Sequence, residues 1–197
     1  TSYKDSSRAN MNARYTYDRR VHFKECINQY QGKQNCTIEG KVYEDLEDQF
    51  RKHHLLVDVP SSVTNSEQAR HIKFSNIQKS HILMFLKELK YAKHYENLNL
   101  IHYVLTGKHP DNISHLEDHL MADFDMLIAV YDKKFKNKIN RTNFISTSFV
   151  LYQLLQRHGY PCKKEDFIML KTSDRKNFHN DICKEIFMDL GWNFKSS

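Results

Sequence analysis

The chain has 197 residues, enough for one domain or two small ones, and 40% of them are hydrophobic, including 12 Phe and 11 Tyr. This supply of bulky apolar side chains excludes wholesale disorder, and only five Gly and three Pro disfavour a turn-rich β-sandwich or barrel. Thirty Lys and Arg against 24 Asp and Glu give a net charge of +6, which favours a polyanionic partner.

No apolar run reaches the roughly 18 residues of a transmembrane helix, and the N-terminal region lacks the apolar segment of a signal peptide. The cysteines Cys26, Cys36, Cys162 and Cys183 form no C-x-x-C pair, so their spacing indicates neither a zinc module nor a disulfide framework. Reduced thiols in an intracellular protein are the expectation. The chain begins with Thr1 rather than Met, and we therefore expect an upstream part that precedes it.

The N-terminal residues 1–17 are polar and include Lys4, Arg8 and Arg14, which predicts a flexible basic arm. This arm either lies on phosphates or remains a solvated tail. We expect a single helical domain over 18–197, because about 150 residues per domain is typical.

A strongly amphipathic stretch follows the arm. Asp18 can cap the start of a helix, and Gly32 can adopt the left-handed conformation that ends one. Between them, apolar side chains recur at i, i+3, i+4 and i+7, which predicts one buried stripe. The stripe consists of Phe23, Cys26, Ile27 and Tyr30. Long basic and amide side chains cover both flanks, and this excess of polar groups favours a recognition or docking role.

Six further helices are predicted from apolar side chains at helical spacing. They cover Lys41 to about His54, Gln78–Lys90, Tyr95–Leu105, Leu116 to about Phe135, Asn143–His158 and Asp174–Leu190. A short strand or coil is expected at 55–60, a surface loop at 61–68 and a helical turn at 164–167. Ser114 and Glu117 have the spacing of a capping box.

The predicted fold class is therefore all-α, a compact bundle of seven or eight helices. The helix at 143–158 is apolar on most sides, which is typical of a helix buried at the centre of a bundle. The number of helices permits a cyclin-like arrangement without requiring one.

Two groups of residues have spacings that metal sites also use. His22 and Glu25 share one helical face and could form half a metal site or an acid–base pair, to which Cys26 or Cys36 could add a ligand. A helix-surface network without metal fits the same residues. The second group is a row of residues four positions apart, Asp111, His115, His119 and Asp123, which we call the second ladder. A solvated helix face also explains it.

The sequence contains no G-x-S-x-G elbow, no recognisable Cys/His signature, no G-x-G-x-x-G fingerprint and no Walker loop. We therefore predict a non-enzymatic protein without a cofactor. The alternative is a metal-dependent nucleic-acid enzyme that uses His22 and Glu25 together with Asp18.

Three groups of basic residues predict sequence-independent phosphate contacts. The first group, on the opening stretch, consists of Arg19, Arg20, Lys24 and Lys33. The second group follows the long fifth helix and consists of Lys133, Lys134, Lys136, Lys138 and Arg141. The third group consists of Lys163, Lys164, Lys171, Arg175 and Lys176. In a compact bundle the three groups could flank one groove, and dispersed solubilising charge is the alternative.

Four blocks of residues occur in an order that resembles one viral family. The first block is Asp18-Arg19-Arg20-x-His22-Phe23-x-Glu25 with Gln29-x-Gln31-Gly32-Lys33-Gln34-Asn35. The second block is Phe85-Leu86-Lys87 with Tyr95-Glu96 and Leu105-Thr106-Gly107-x-x-Pro110, and the third is Arg141-x-Asn143-Phe144-x-Ser146-x-Ser148-Phe149-Val150-Leu151. The fourth is Leu170-Lys171-x-Ser173 with Ile182-Cys183 and Leu190-Gly191-Trp192-x-Phe194. Together they are similar to the late transcription factor 3 family of poxviruses and other large nucleocytoplasmic DNA viruses.

The resemblance implies a trans-activator of late viral genes that works with the viral RNA polymerase, other late transcription factors and promoter DNA. It implies action inside the infected host cell, at the viral factory, and leaves packaging in the virion open. Family members often have an N-terminal cysteine-rich zinc module, so zinc is expected only in an upstream part. We assign protein docking to His22, Glu25, Gln29 and Gln31. A protein-only structural adaptor in a viral assembly is a further alternative.

Overall fold

We obtained a computed structural model of the protein, which describes residues 18–135, 145–167 and 173–196, with side chains except at 173–175. These ranges contain eight α-helices and no β-strand, which confirms the predicted all-α class. No helix among them combines the length and hydrophobicity needed to cross a bilayer. The predicted arm at 1–17 lies outside the described residues.

The helices are given in chain order. They are α1 (18–30), α2 (Gly40–Lys52), α3 (Ser66–Lys73), α4 (Lys79–Glu88), α5 (Leu98–Thr106), α6 (Glu117–Lys134), α7 (Thr147–Arg157) and α8 (Ser173–Leu190). Three 3-10 turns lie at Ala92–Asn97, Ser114–Leu116 and Lys164–Asp166. All seven predicted helices are present, and α3 is an additional one. The cyclin-like arrangement stays a prediction.

Helix α1 ends as predicted. Gly32 has a φ of +66°, and the N–H groups of Lys33 and Gly32 donate to the carbonyls of Asn28 and Gln29 at 2.9 and 3.2 Å. This pair of hydrogen bonds is the Schellman motif that satisfies the last carbonyls of a helix. The stripe residues Phe23, Cys26, Ile27 and Tyr30 are all buried. Because α1 adjoins the residues that are not described, the capping role of Asp18 stays a prediction.

The prediction of a surface loop at 61–68 is wrong from Ser66 onward, where α3 begins. The Asn65 side chain accepts a hydrogen bond from the N–H of Gln68 at 2.9 Å and caps this helix. No residue of α3 is fully buried, and its apolar side chains are only Ala69 and Ile72, too few for a clear periodic pattern in the sequence. The N-cap residue Asn65 was the signal in the sequence that could have predicted the start of this helix.

The start of α6 also differs from the prediction. A 3-10 turn at Ser114–Leu116 precedes the helix, Leu116 occupies the N-cap position and no side chain caps the first turn. Ser114 thus lies within the 3-10 turn and not at the N-cap position of α6, and its pairing with Glu117 stays a prediction. The Glu117 carboxylate lies 3.5 Å from Nζ of Lys24.

The chain divides into two compact units. Unit 1 contains α1 up to Ile27 and the part from Ile113 onward, and unit 2 runs from Asn28 to Asn112. In unit 1, residues 149–155 of α7 are all buried, as expected of the apolar sixth helix. In unit 2, the Phe50 ring packs edge-on against Phe85, with ring centroids 5.6 Å apart. The single domain over 18–197 stays a prediction.

The core of unit 1 contains one polar side chain without a partner among the described residues. Gln153 is 1% exposed, and neither its amide nitrogen nor its amide oxygen has a hydrogen-bond partner there. A buried polar group without a hydrogen bond costs about 1–3 kcal/mol. We expect Gln153→Met, which keeps the volume, to raise the free energy of unfolding by roughly this amount. Urea denaturation followed by the fluorescence of Trp192, the one tryptophan of the chain and a residue of unit 1, measures it.

The matched variant Gln153→Glu keeps the shape and adds a charge, so we expect it to destabilise unit 1 strongly. If both variants lower the urea midpoint, the amide of Gln153 has a partner that matters for stability, and the prediction is wrong.

Candidate nucleic-acid interface

The basic face of α1 packs along the acidic side of α6 within unit 1. Arg20 Nε lies 2.7 Å from Asp125, and Lys24 Nζ lies 3.5 Å from Glu117. As the residue numbers rise along α1, those of the partners fall along α6, so the two helices run antiparallel. The predicted cations of α1 therefore do not stand alone but face carboxylates that lie about a hundred residues later in the chain.

Arg19 forms the third ion pair of this series and differs from the other two by its burial. Its side chain is 9% exposed, Nη1 lies 3.3 Å from Asp132, and the guanidinium lies over the Tyr131 ring, 5.2 Å from its centroid. Burial lowers the pKa of Arg19, and the charge of Asp132 opposes this shift. A side chain held in this way offers little surface to a phosphate.

Arg20 and Lys24 keep their charged ends at the surface, with side chains 44% and 59% exposed. Lys133, in the last turn of α6, is also exposed and has no ion pair within the described ranges. It directly follows Asp132, the partner of Arg19, so the N-terminal part of α1 lies beside the start of the second basic group. Within unit 1, the structure thus places Arg19 of the first predicted group close to the start of the second group at Lys133.

The remaining cations of the second and third groups are only partly described. Lys134 Nζ lies 2.7 Å from Asp189, which raises the pKa of Lys134, and 3.5 Å from Glu185. Lys163 and Lys164 are exposed, and Lys176 is half-buried. Lys136, Lys138, Arg141 and Lys171, together with the Arg175 side chain, lie outside the described residues. Whether the three groups share one groove stays a prediction.

Lys33 belongs to unit 2, unlike the other cations of the first group. It follows the Schellman turn, is exposed, and its Nζ lies 3.4 Å from Oε1 of Gln31 and 3.5 Å from Oδ1 of Asn112. The charge of Lys33 is thus held by amide oxygens and is not compensated by a carboxylate in these contacts.

The excess positive charge is distributed unevenly between the units. Unit 1 has 19 Lys and Arg against 14 Asp and Glu, whereas unit 2 has 11 against 10. A polyanion is therefore attracted mainly by unit 1.

The residues predicted for protein docking differ in accessibility. His22 and Glu25 are exposed, with Nδ1 and Oε2 3.8 Å apart, so both side chains can reach a partner. Gln29 donates to Oε2 of Glu96 at 3.3 Å and is half-buried. Gln31 is buried, so its amide supports the turn after α1 more than a surface. The docking role of the four residues stays a prediction.

The described residues contain no group of three or more His, Cys, Asp or Glu side chains placed to hold a metal ion. Cys26, one turn after His22, points into the core and is not available to it. In the second ladder, the Asp111 carboxylate accepts a hydrogen bond from the Tyr30 hydroxyl at 3.0 Å. The absence of a resident cofactor stays a prediction.

Asp123, the last residue of the second ladder, belongs to a network that the sequence did not reveal. Its Oδ2 lies 2.6 Å from Nε2 of His158 and 3.1 Å from Nη1 of Arg157, whose guanidinium lies 4.0 Å from the Trp192 ring centroid. The His119 ring is 5.9 Å from that of His158. An acidic residue inside the apolar stripe of α6 was the one available signal for a buried polar network.

Comparison with known proteins adds independent evidence. The family described as "Poxvirus Late Transcription Factor VLTF3 like" matches residues 10–194. "Putative transcription factor 282R" of Invertebrate iridescent virus 6 is 52% identical over 195 residues, covering 98% of this chain and 51% of the relative. "Putative transcription factor 001R" of Frog virus 3 (isolate Goorha) is 36% identical over 172 residues, covering 87% and 62%.

A more distant relative, "Putative transcription factor R429" of Acanthamoeba polyphaga mimivirus, is 28% identical over 187 residues, covering 93% of this chain and 38% of the relative. The chain thus spans about half the length of the curated relatives it matches most strongly. No solved structure matches it. The family match over most of the chain confirms the resemblance of the four residue blocks, and the chain belongs to the poxvirus late transcription factor VLTF3-like family.

Proposed function

We propose that the chain is a domain of a viral late-gene transcription factor that acts with the viral RNA polymerase and other late factors at promoters. Membership of the family over residues 10–194 and the relatives' names as transcription factors support this role. We further propose that the domain is non-enzymatic, acts in the infected cell at the viral factory and contacts promoter DNA directly.

The observation that carries the DNA contact is the location of exposed cations on the unit with the charge excess. Arg20 and Lys24 are ion-paired, but exposed pairs of this kind are worth about 0–1 kcal/mol. Phosphates can therefore replace the carboxylates as partners at little cost. Each phosphate contact also releases condensed counterions, which favours binding at low salt.

The test is the affinity of the full chain for a fluorescein-labelled 30-base-pair duplex, measured by anisotropy from about 50 to 300 mM salt. We expect each of the variants Arg20→Gln, Lys24→Gln and Lys133→Gln to weaken binding by a factor that does not depend on the DNA sequence. Each should reduce the slope of log K against log salt by about 1, because one phosphate contact is lost. The triple variant should reduce the slope by about 3.

Two control variants separate local contact from general charge. Lys93→Gln removes an exposed cation of unit 2 that pairs with Glu39 at 3.1 Å, and we expect no change in slope. Asp125→Asn removes the carboxylate 2.7 Å from Arg20, and we expect tighter binding. An Arg20 slope change no larger than that of Lys93 would place the DNA contact elsewhere.

Failure to bind any duplex at 50 mM salt would exclude direct DNA contact. Co-purification of tagged chain with viral RNA polymerase subunits from infected cells would then support the protein-only adaptor. Absence of both would contradict the proposed function as a whole.

A further inference from the structure

A buried residue and an exposed cation stand side by side on each helix where α1 meets α6 in unit 1. On α1, the side chain of Arg19 is 9% exposed and that of the next residue, Arg20, is 44% exposed. On α6, the carboxylate of Asp132 lies 3.3 Å from Nη1 of Arg19, and the next residue, Lys133, is exposed. The Arg19–Asp132 ion pair is therefore flanked on each helix by a cation that faces solvent.

The Arg19 pair differs from the other ion pairs between α1 and α6 because a phosphate cannot take the place of its carboxylate. The pairs of Arg20 and Lys24 lie at the surface, where such an exchange costs little. Arg19 is buried against the Tyr131 ring, so the loss of Asp132 would leave a buried charge without this counter-ion. The contact is therefore kept whether or not DNA is bound.

This permanent contact also fixes the distance between two exposed cations. Arg20 Nε lies 2.7 Å from Asp125. Asp125 precedes Lys133 by eight residues, which corresponds to about 12 Å along α6. The stacked ring of Phe23 holds α1 one turn further on, so Arg19 is the contact that holds the turn containing Arg20. Without it, Arg20 could move relative to Lys133 while the core of unit 1 stays packed.

We propose that Arg19 and Asp132 are positioning residues, whose buried ion pair holds Arg20 and Lys133 at a spacing that suits double-stranded DNA. The inference rests on the proposed DNA contact and deepens it by predicting a preference for a duplex over a single strand. The phosphates of a duplex are fixed on a stiff helix with a persistence length of about 150 base pairs, so only cations at a matching spacing reach two of them together. A flexible single strand adapts its phosphates to either arrangement.

The proposal reverses the sign of the effect expected for one carboxylate. By charge alone, removal of any carboxylate beside these cations tightens the binding of a polyanion, as expected for Asp125→Asn. Asp132→Asn should instead weaken duplex binding about fivefold, because Arg20 and Lys133 no longer act together. Its binding to single-stranded oligo(dT) of the same length as the duplex should be unchanged or tighter.

The test measures the ratio of the affinity for the duplex to the affinity for oligo(dT), by fluorescence anisotropy of the full chain. Two double variants that leave the net charge unchanged form a matched pair. Arg19→Ala/Asp132→Ala removes the contact and should lower the ratio about fivefold. Arg19→Met/Asp132→Leu refills the contact with apolar side chains, which can replace a buried ion pair, so the ratio should recover to within about twofold of the unchanged chain.

The urea midpoint, followed by the fluorescence of Trp192, shows whether each variant is folded. Neither double variant leaves an unpaired buried charge, so this pair decides the question even where Asp132→Asn does not fold.

Several results would overturn this inference alone. The first is tighter duplex binding by Asp132→Asn, which would reduce its role to that of charge. The second is an equal loss of duplex and oligo(dT) affinity in Arg19→Ala/Asp132→Ala. The third is a salt slope reduced by about 1 in Arg19→Met/Asp132→Leu, which would make Arg19 itself a phosphate contact. Absence of duplex binding by the unchanged chain would overturn the proposed DNA contact and this inference with it.

Discussion

Replacing Phe23 by Ala is expected to lower the free energy of unfolding of unit 1 by about 3–5 kcal/mol, the usual cost of removing a buried aromatic ring. Phe23 is fully buried, and its ring stacks on that of Phe124 in α6, with centroids 4.1 Å apart and planes inclined by 7°. The ion pairs of Arg20 and Lys24 with α6 are exposed or half-exposed and contribute much less. The apolar stripe therefore holds α1 in place, and the cations depend on it.

Urea denaturation monitored by Trp192 fluorescence measures this loss, because Trp192 belongs to the same unit. The control is Val21→Ala, in the same helix but 41% exposed, for which a change within about 0.5 kcal/mol is expected. Equal effects of the two variants would show that α1 is not anchored by its buried stripe.

Replacing Gly107 by Ala is expected to destabilise unit 2 by about 2–5 kcal/mol. Gly107 ends α5 with a φ of +72°, where an L-residue costs about 1–2 kcal/mol. An added Cβ would also lie 2.6 Å from Nδ1 and 3.0 Å from Cγ of His71, and such overpacking costs about 1–3 kcal/mol. Hydrogen exchange of the α5 amides measures the effect within unit 2.

The other glycines separate backbone strain from overpacking. Gly159 has a φ of +70° but nothing within 4 Å of an added Cβ, so Gly159→Ala should show the strain alone. Gly40 has neither constraint, and Gly40→Ala should be neutral or slightly stabilising. The double variant Gly107→Ala/His71→Ala should recover the part of the stability of unit 2 that overpacking against His71 removes. No recovery would mean that the His71 ring moves aside freely.

The parts of the fold that the sequence predicted are those with a local signature. Helix α1 has a periodic stripe and a terminal glycine, and α7 is a long segment with apolar side chains on most sides, so local sequence signals locate both. Trp192 directly follows the glycine that ends α8, and its ring packs edge-on against Phe187, with ring centroids 5.3 Å apart. Each of these features depends on residues a few positions apart.

The features that were missed depend on residues far apart in the chain or on weak patterns. Helix α3 has only two apolar side chains, Ala69 and Ile72, which are too few for a recognisable periodic stripe. The carboxylate partners of the predicted cations of α1 lie 93 to 113 positions away on α6, as for Lys24 with Glu117 and Arg19 with Asp132. A count of charges along the sequence cannot show which cation pairs with which distant carboxylate. Neither these ion pairs nor the burial of Arg19 beside Asp132 could therefore be predicted.

The division of the chain into units has a consequence for synthesis on the ribosome. Unit 2 is continuous from Asn28 to Asn112, so it is complete as soon as that segment has left the exit tunnel. Unit 1 is interrupted by it, and Phe23 must wait for Phe124 to be translated before the two rings can stack. Because domains fold as units while translation proceeds, we expect the Phe23 side of α1 to stay uncovered during that interval.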